Sequence, residues 1–152
     1  MSMLVDTFIK ALHHLERSGD PEGIVNLFAE NATVANPLVQ HRGNGRDSAL
    51  SFWQSYRAAF KDITSEFRHI IEEDGIAFLE WVSEGTTEQG HFRYGGVSVI
   101  EHRSDEITAF RSYFDPRHIQ EHRAGEKTVD HSEALVEAQR QAAEHRKEGG
   151  YQ

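Results

Sequence analysis

Hydrophobic residues recur at helical spacing up to about Asp62 and at every second position after it, and this change of period divides the chain into two kinds of structure. Leu4, Val5, Phe8, Leu12 and Leu15 fall on one arc of a helix over Ser2 to Ser18, with Asp6, Lys10, His14 and Arg17 elsewhere. Gly19-Asp20-Pro21 ends that helix and starts another, with Asp20 suited to the N-cap and Pro21 to the first helical position, where a missing N–H costs nothing. A short second helix turns Ile24, Leu27 and Phe28 inward. Asn31 to Pro37 reads as a brief extended stretch centred on Thr33-Val34-Ala35, and Pro37, Gly43 and Gly45 mark the loop that runs to Gly45. From Arg46 to Lys61, Ala49, Trp53, Tyr56 and Phe60 repeat at the spacing of a third helix.

Four stretches then alternate as strands: Thr64 to Glu72, Ile76 to Thr86, His91 to His102 and Glu106 to Phe114. Asp74-Gly75, Glu88-Gln89-Gly90 and Ser104-Asp105 separate them, each short enough for a hairpin, so consecutive strands form an antiparallel meander. A sheet with one apolar face following three helices must bury that face against them. The expected architecture is α+β, a cone-shaped curved antiparallel sheet wrapped around three N-terminal helices.

Beyond Pro116, aromatic residues vanish until Tyr151, and Ala134, Leu135, Ala138 and Ala142 form only a weak stripe in a polar segment. The domain is therefore expected to span residues 1–115. Residues 116–152 are expected to be a charged tail, either a solvated or frayed helix or one that docks on a second subunit.

The 152 residues suffice for one core. A net charge of −9 lies almost wholly in the domain, where 10 basic and 18 acidic side chains leave −8. That balance argues against nucleic acid as a partner. Apolar runs of four or five residues are far from the roughly 20 of a membrane-spanning helix, and Met1 to Asp6 does not read as a signal peptide, so no membrane partner and a cytoplasmic location are expected. With no cysteine, thiolate metal sites, disulfides and thiol nucleophiles are excluded.

Several segments resemble one family. Phe8-Ile9-Lys10-Ala11-Leu12 followed by Gly19 to Val34, then Gly45-Arg46-Asp47, Gly96-Val97-Ser98-Val99-Ile100 and Ile107 to Asp115 are similar to the SnoaL-like branch of the nuclear transport factor 2-like superfamily, whose relatives include ketosteroid isomerase, limonene epoxide hydrolase and polyketide cyclase. The resemblance covers residues 4 to about 115 and implies a cystatin-like cone. Carried over onto this chain, the isomerase's base position falls on Asn36, its second Asp on Ser98 and its Tyr near Phe8 or Leu12. An amide does not act as a base. The epoxide hydrolase's Arg falls on Trp81 and its two Asp on Ser83 and Ser112, which removes both carboxylates. Neither catalytic set is present.

If Trp81 and Ser83 face inward as in those relatives, strand parity also turns Leu79, Ser98, Ile100, Phe110, Ser112 and Phe114 inward. The expected pocket combines Phe8, Leu12, Trp53, Tyr56, Leu79, Trp81, Phe110 and Phe114 with Ser83, Ser98 and Ser112. A bulge at Gly95-Gly96 would flip Phe92 and Tyr94.

Asn36, His69, His91 and Tyr94 are the candidate catalytic groups, with Glu80 and Glu66 next. Asn36 before Pro37 equally suits a turn cap, and Trp53, Tyr56 and Trp81 equally suit plain core. Asp115 reads as a cap of a terminal turn, and His118 and His122 as surface residues without a third metal ligand, so neither metal nor cofactor is expected. Val82, Val97, Val99 and Tyr113 alternate onto the other sheet face with Glu80, Glu84 and Arg111, a face suited to a homodimer.

Two functions stand on this sequence. One is binding of a small, largely apolar molecule with cofactor-independent acid/base chemistry on it, such as cyclisation, dehydration or isomerisation. The other is a non-catalytic ligand-binding or dimerisation module of the same fold.

Overall fold

The computed structural model describes residues 2–38 and 45–118; His122 and nearly all of the expected tail lie outside them. Helix α1 (Met3–Ser18) begins where the Ser2 hydroxyl accepts the Val5 N–H at 3.2 Å and ends at Gly19, whose φ of 81° suits a residue without a side chain. Helix α2 (Glu22–Val25) is a single turn. Its N-cap position is Pro21 rather than Asp20, one residue later than expected, although the Asp20 carboxylate still accepts the Glu22 N–H at 3.0 Å. Phe28 is not the last inward residue of α2 but the first of β1 (Phe28–Ala35), which extends well upstream of Thr33-Val34-Ala35. Helix α3 (Arg46–Ala58) stops three residues short of Lys61.

The four later strands are β2 (Asp62–Glu73), β3 (Ile76–Thr87), β4 (Gly90–Arg103) and β5 (Glu106–Tyr113). They form the antiparallel meander. At the Asp74-Gly75 turn both residues have positive φ, 51° and 79°, which matches the right-handed twist of the flanking strands. The sheet has five strands rather than four, in the order β1-β5-β4-β3-β2, because β1 adds to β5 in parallel. Its register places Val34 beside Phe110. Parallel pairing needs a long crossover, and everything from α3 to β4 supplies it.

Helix α1 packs on β2 and α3 on β1, so the helices lie against one face of the sheet. Phe8, Phe28, Phe52, Trp53 and Phe110 meet there, the Trp53 and Phe110 rings 5.0 Å apart between centroids. No helix among the described residues is long and apolar enough to cross a membrane.

Two register details set what faces the helices. No bulge interrupts Gly95-Gly96; these residues pair in sequence with Val82 and Trp81, so Phe92 and Tyr94 turn inward by simple alternation. The Trp81 indole lies over Gly96, where a Cβ would sit 2.6 Å from its Cζ2 and 2.6 Å from the Tyr113 carbonyl oxygen. A bulge does occur in β2: Phe67 opposes Trp81 while His69, two residues on, opposes Glu80. It reverses the parity of everything downstream.

Gly96→Ala is expected to lower stability by about 1–3 kcal/mol, since one of the two close atoms is backbone and does not rotate away. Urea denaturation checks this; an unchanged midpoint would show that the indole and β5 relax freely.

Candidate functional site

Between the helices and the sheet lies a cavity of about 180 Å³. Helix α1 contributes Phe8 and Leu12, and α3 contributes Phe52, Trp53, Ser55 and Tyr56, followed by Ala59 and Phe60. The sheet contributes Ser65 and Phe67 from β2, Trp81 and Ser83 from β3, Tyr94 and Ser98 from β4, and Phe110 and Ser112 from β5. Asn36, Leu38 and Phe114 complete the wall. Its surface is chiefly aromatic, with hydroxyls set into it.

Those hydroxyls form two networks. In the first, Glu16 of α1, only 4% exposed, receives the Tyr56 hydroxyl at 2.8 Å, the Ser65 hydroxyl at 2.6 Å and the Ser65 backbone N–H at 3.0 Å. The Ser65 oxygen lies 2.6 Å from that of Ser83. Since Ser65 gives its one hydroxyl hydrogen to Glu16, Ser83 is the donor between the serines. In the second network the Trp81 indole N–H donates to Ser98 at 2.9 Å, and Ser98 lies 2.7 Å from Ser112. Buried polar groups that stay within hydrogen-bond reach avoid the cost of lost hydration.

Burial pushes the Tyr56 hydroxyl well above its ordinary range, and the Glu16 carboxylate and Tyr94 add to the effect against an opposing hydrogen bond from Ser65. Tyr94 is raised by burial first and by Glu16 second. Both phenols keep their protons at any ordinary pH, and both feel the negative charge behind the wall.

Of the residues expected at the site, the wall holds Asn36, Tyr94, Phe8, Leu12, Trp53, Tyr56, Trp81, Ser83, Ser98, Phe110, Ser112 and Phe114. Asn36 is a turn residue as well, its side-chain oxygen accepting the Leu38 N–H at 2.9 Å. Leu79 points inward but is fully buried in the core beyond the wall.

His69 and His91 are elsewhere. The bulge turns His69 onto the outer face, where its side chain is 79% exposed and its Nδ1 lies 2.6 Å from Glu80. His91 opposes Thr86 on the outer face beside inward Phe92, 62% exposed and 3.5 Å from Glu84. Neither imidazole reaches the cavity or Asn36, and Glu66 and Glu80 share that outer face. Asp115 caps a turn: its carboxylate accepts the Arg117 backbone N–H at 2.9 Å and the guanidinium at 3.0 Å, and those bonds, stronger than its partial burial, hold its carboxyl below the usual range. Among the described residues no three His, Asp or Glu gather as a metal site.

Glu16, Ser55 and Ser65 are the polar residues not anticipated from the sequence. The signal for Glu16 was present: it continues the series Phe8, Leu12 at intervals of four, so a carboxylate stands on the apolar arc.

A family model described as a SnoaL-like domain matches residues 5–110. An NTF2-like protein from Anabaena variabilis superposes with a TM-score of 0.69 at 16% identity, over 76% of this chain and 90% of that one. A protein with a ketosteroid isomerase-like fold from Catenulispora acidiphila, in complex with trimethylamine, gives 0.65 at 16% identity over 74% and 88%. An LEH-like epoxide hydrolase from M. tuberculosis gives 0.61 at 16% identity over 78% and 84%. These structures share the fold.

Tyr56→Phe deletes one of the three donors to Glu16 and is expected to cost about 1.5–3 kcal/mol, the range for hydrogen bonds to charged groups. Chemical denaturation checks it, and a loss below about 0.5 kcal/mol would show that water or Ser65 replaces the phenol.

Proposed function

Starting from a chain that belongs to the SnoaL-like domain family, we propose that it binds a small, largely apolar molecule in the cavity between helices and sheet. The observation that carries this reading is the wall itself: aromatic side chains from α1, α3 and four strands surround about 180 Å³, with polar contacts confined to a few fixed hydroxyls. Such a surface desolvates an apolar body cheaply and orients it through few hydrogen bonds. A cytoplasmic location belongs to the same proposal, on the cysteine-free composition.

A catalytic version is favoured by one feature, the chain from Ser83 through Ser65 to Glu16. A proton leaving a ligand at Ser83 has an oxygen relay to a buried carboxylate, which suits cofactor-independent cyclisation, dehydration or isomerisation. His69 and His91 have no part in it.

The outer sheet face supports a homodimer. Ile71, Phe78 and Tyr113 are exposed there, and Val82 and Val97 are half-buried beside them, although Val99 on the same face is covered. The Arg111–Glu101 and His69–Glu80 pairs supply polar groups around these side chains.

Two measurements test these proposals. Mass spectrometry of molecules retained after incubation with a metabolite extract is expected to identify a compound that also changes the fluorescence of Trp53 and Trp81; retention of nothing would count against the binding role. Light scattering after size exclusion is expected to give a dimer of the 17.3 kDa chain, and a mass of 17.3 kDa at micromolar concentration would overturn the dimer.

A further inference from the structure

We propose that the ligand of this cavity is an apolar molecule bearing a protonated amine, bound with its ammonium at the Tyr56–Ser83 end and a hydrogen-bond acceptor at the Ser98–Ser112 end. This deepens the small-molecule reading above and rests on it.

Hydrogen bookkeeping sets the polarity of the first end. Tyr56 and Ser65 both point their single hydroxyl hydrogens at Glu16, and Ser83 points its own at Ser65. What these groups leave for the cavity is lone pairs. A carbonyl placed there would face oxygens with no hydrogen to give, whereas an N–H would be received. Tyr94, lining the same cavity at 4% exposure, makes no hydrogen bond among the described residues, so its hydroxyl accepts an N–H but also keeps a hydrogen of its own to give; the lone-pair character of this end rests on Tyr56, Ser65 and Ser83.

Charge points the same way. Glu16 forms no ion pair with a Lys, Arg or His side chain among the described residues. The nearest cation, Arg57, gives its guanidinium to the backbone carbonyls of Glu16, Phe60 and Lys61 at 3.1, 2.9 and 3.3 Å, and His13 lies 3.0 Å from the Ser65 carbonyl. A buried carboxylate with donors but no counter-charge is completed by a cation. Trp53, Tyr56, Trp81 and Tyr94 all line the cavity, and the π faces of such rings attract an ammonium. The net charge of −9 adds long-range attraction for a cation.

The second end has the opposite character. Ser98 already accepts from Trp81, and of the two hydroxyl hydrogens on Ser98 and Ser112 one bridges the pair. The other is left to donate. Trp53 lines the cavity as well, with an indole N–H that has no partner among the described residues. Ser98 sits opposite Leu79, four residues from Ser83 along β3, so the two ends are about 13 Å apart along the strand. An elongated molecule with a cation at one end and an ether, hydroxyl or carbonyl oxygen toward the other matches both.

Isothermal titration at neutral pH with 4-phenylbutylamine, 4-phenylbutanol and 4-phenylbutyrate tests the charged end. The amine is expected to bind at least about ten-fold tighter than the alcohol, and the carboxylate weakest. In Glu16→Gln the amine-to-alcohol affinity ratio is expected to fall toward about one; should that variant not fold, Tyr56→Phe, which removes one acceptor oxygen, is expected to lower the same ratio. An alcohol or carboxylate that binds wild type as tightly as the amine overturns the amine inference and leaves the small-molecule reading standing. Failure of all three probes to bind overturns both. An amine preference undiminished in the variants overturns Glu16 as its source.

Discussion

One buried carboxylate ties the molecule together. Glu16 stands near the end of α1, yet its oxygens are held by Tyr56 from α3 and by Ser65 from β2, and through Ser65 they reach Ser83 on β3. A carboxylate so far from water is tolerable only while its donors stay within reach. Helix α1 therefore has little freedom to slide on the sheet or to part from α3. Arg57 reinforces the seam by donating to the backbone carbonyl of Glu16 itself. The cavity is the space left open once these elements are fixed, and its polar end lies directly in front of the group that fixes them.

Much of this was legible in the chain and some was not, for reasons that residues make plain. The arc Leu4, Val5, Phe8, Leu12, Leu15 and the alternation through β3 and β4 are local patterns, and the burial they imply is what forms. Inward Trp81, Ser83, Ser98 and Ser112 follow from that alternation because no irregularity intervenes between them. Strand β1 was visible only from Asn31 on, without its first three residues, since its pairing is with a segment some 75 residues later, as Val34 beside Phe110 shows, and no local signal announces a parallel partner. His69 was open for a different reason. One extra residue between Phe67 and His69 reverses which way the imidazole faces, and alternation does not reveal where a bulge will fall.

The site illustrates how little the fold dictates about chemistry. The positions at which relatives were expected to carry strand carboxylates hold Asn36 and serines here, and the carboxylate that is present comes from a helix, behind the wall rather than on it. Its influence on the cavity is indirect but specific. By drawing the hydrogens of Tyr56 and Ser65 to itself, and through Ser65 that of Ser83, it decides which face of each hydroxyl a guest meets. Two small hydroxyl clusters with similar composition thus acquire different chemistry, one exposing lone pairs and the other a spare hydrogen.

The bulge in β2 has a consequence beyond the direction of one histidine. Strand order makes β2 and β1 the two rims of the sheet, each with a row of backbone groups that meets no further strand, although the Ser65 N–H and carbonyl on β2 are taken by Glu16 and His13 and the Ala32 carbonyl on β1 accepts from Gly45. On β2 the spacing of that row is broken between Phe67 and His69, in a stretch that also carries Glu66, Arg68, Glu72 and Glu73. On β1 it is broken between Phe28 and Thr33. An incoming strand that matches either rim at one end loses step before the other. The two irregularities act as terminators, so copies of this chain have no continuous margin along which to polymerise.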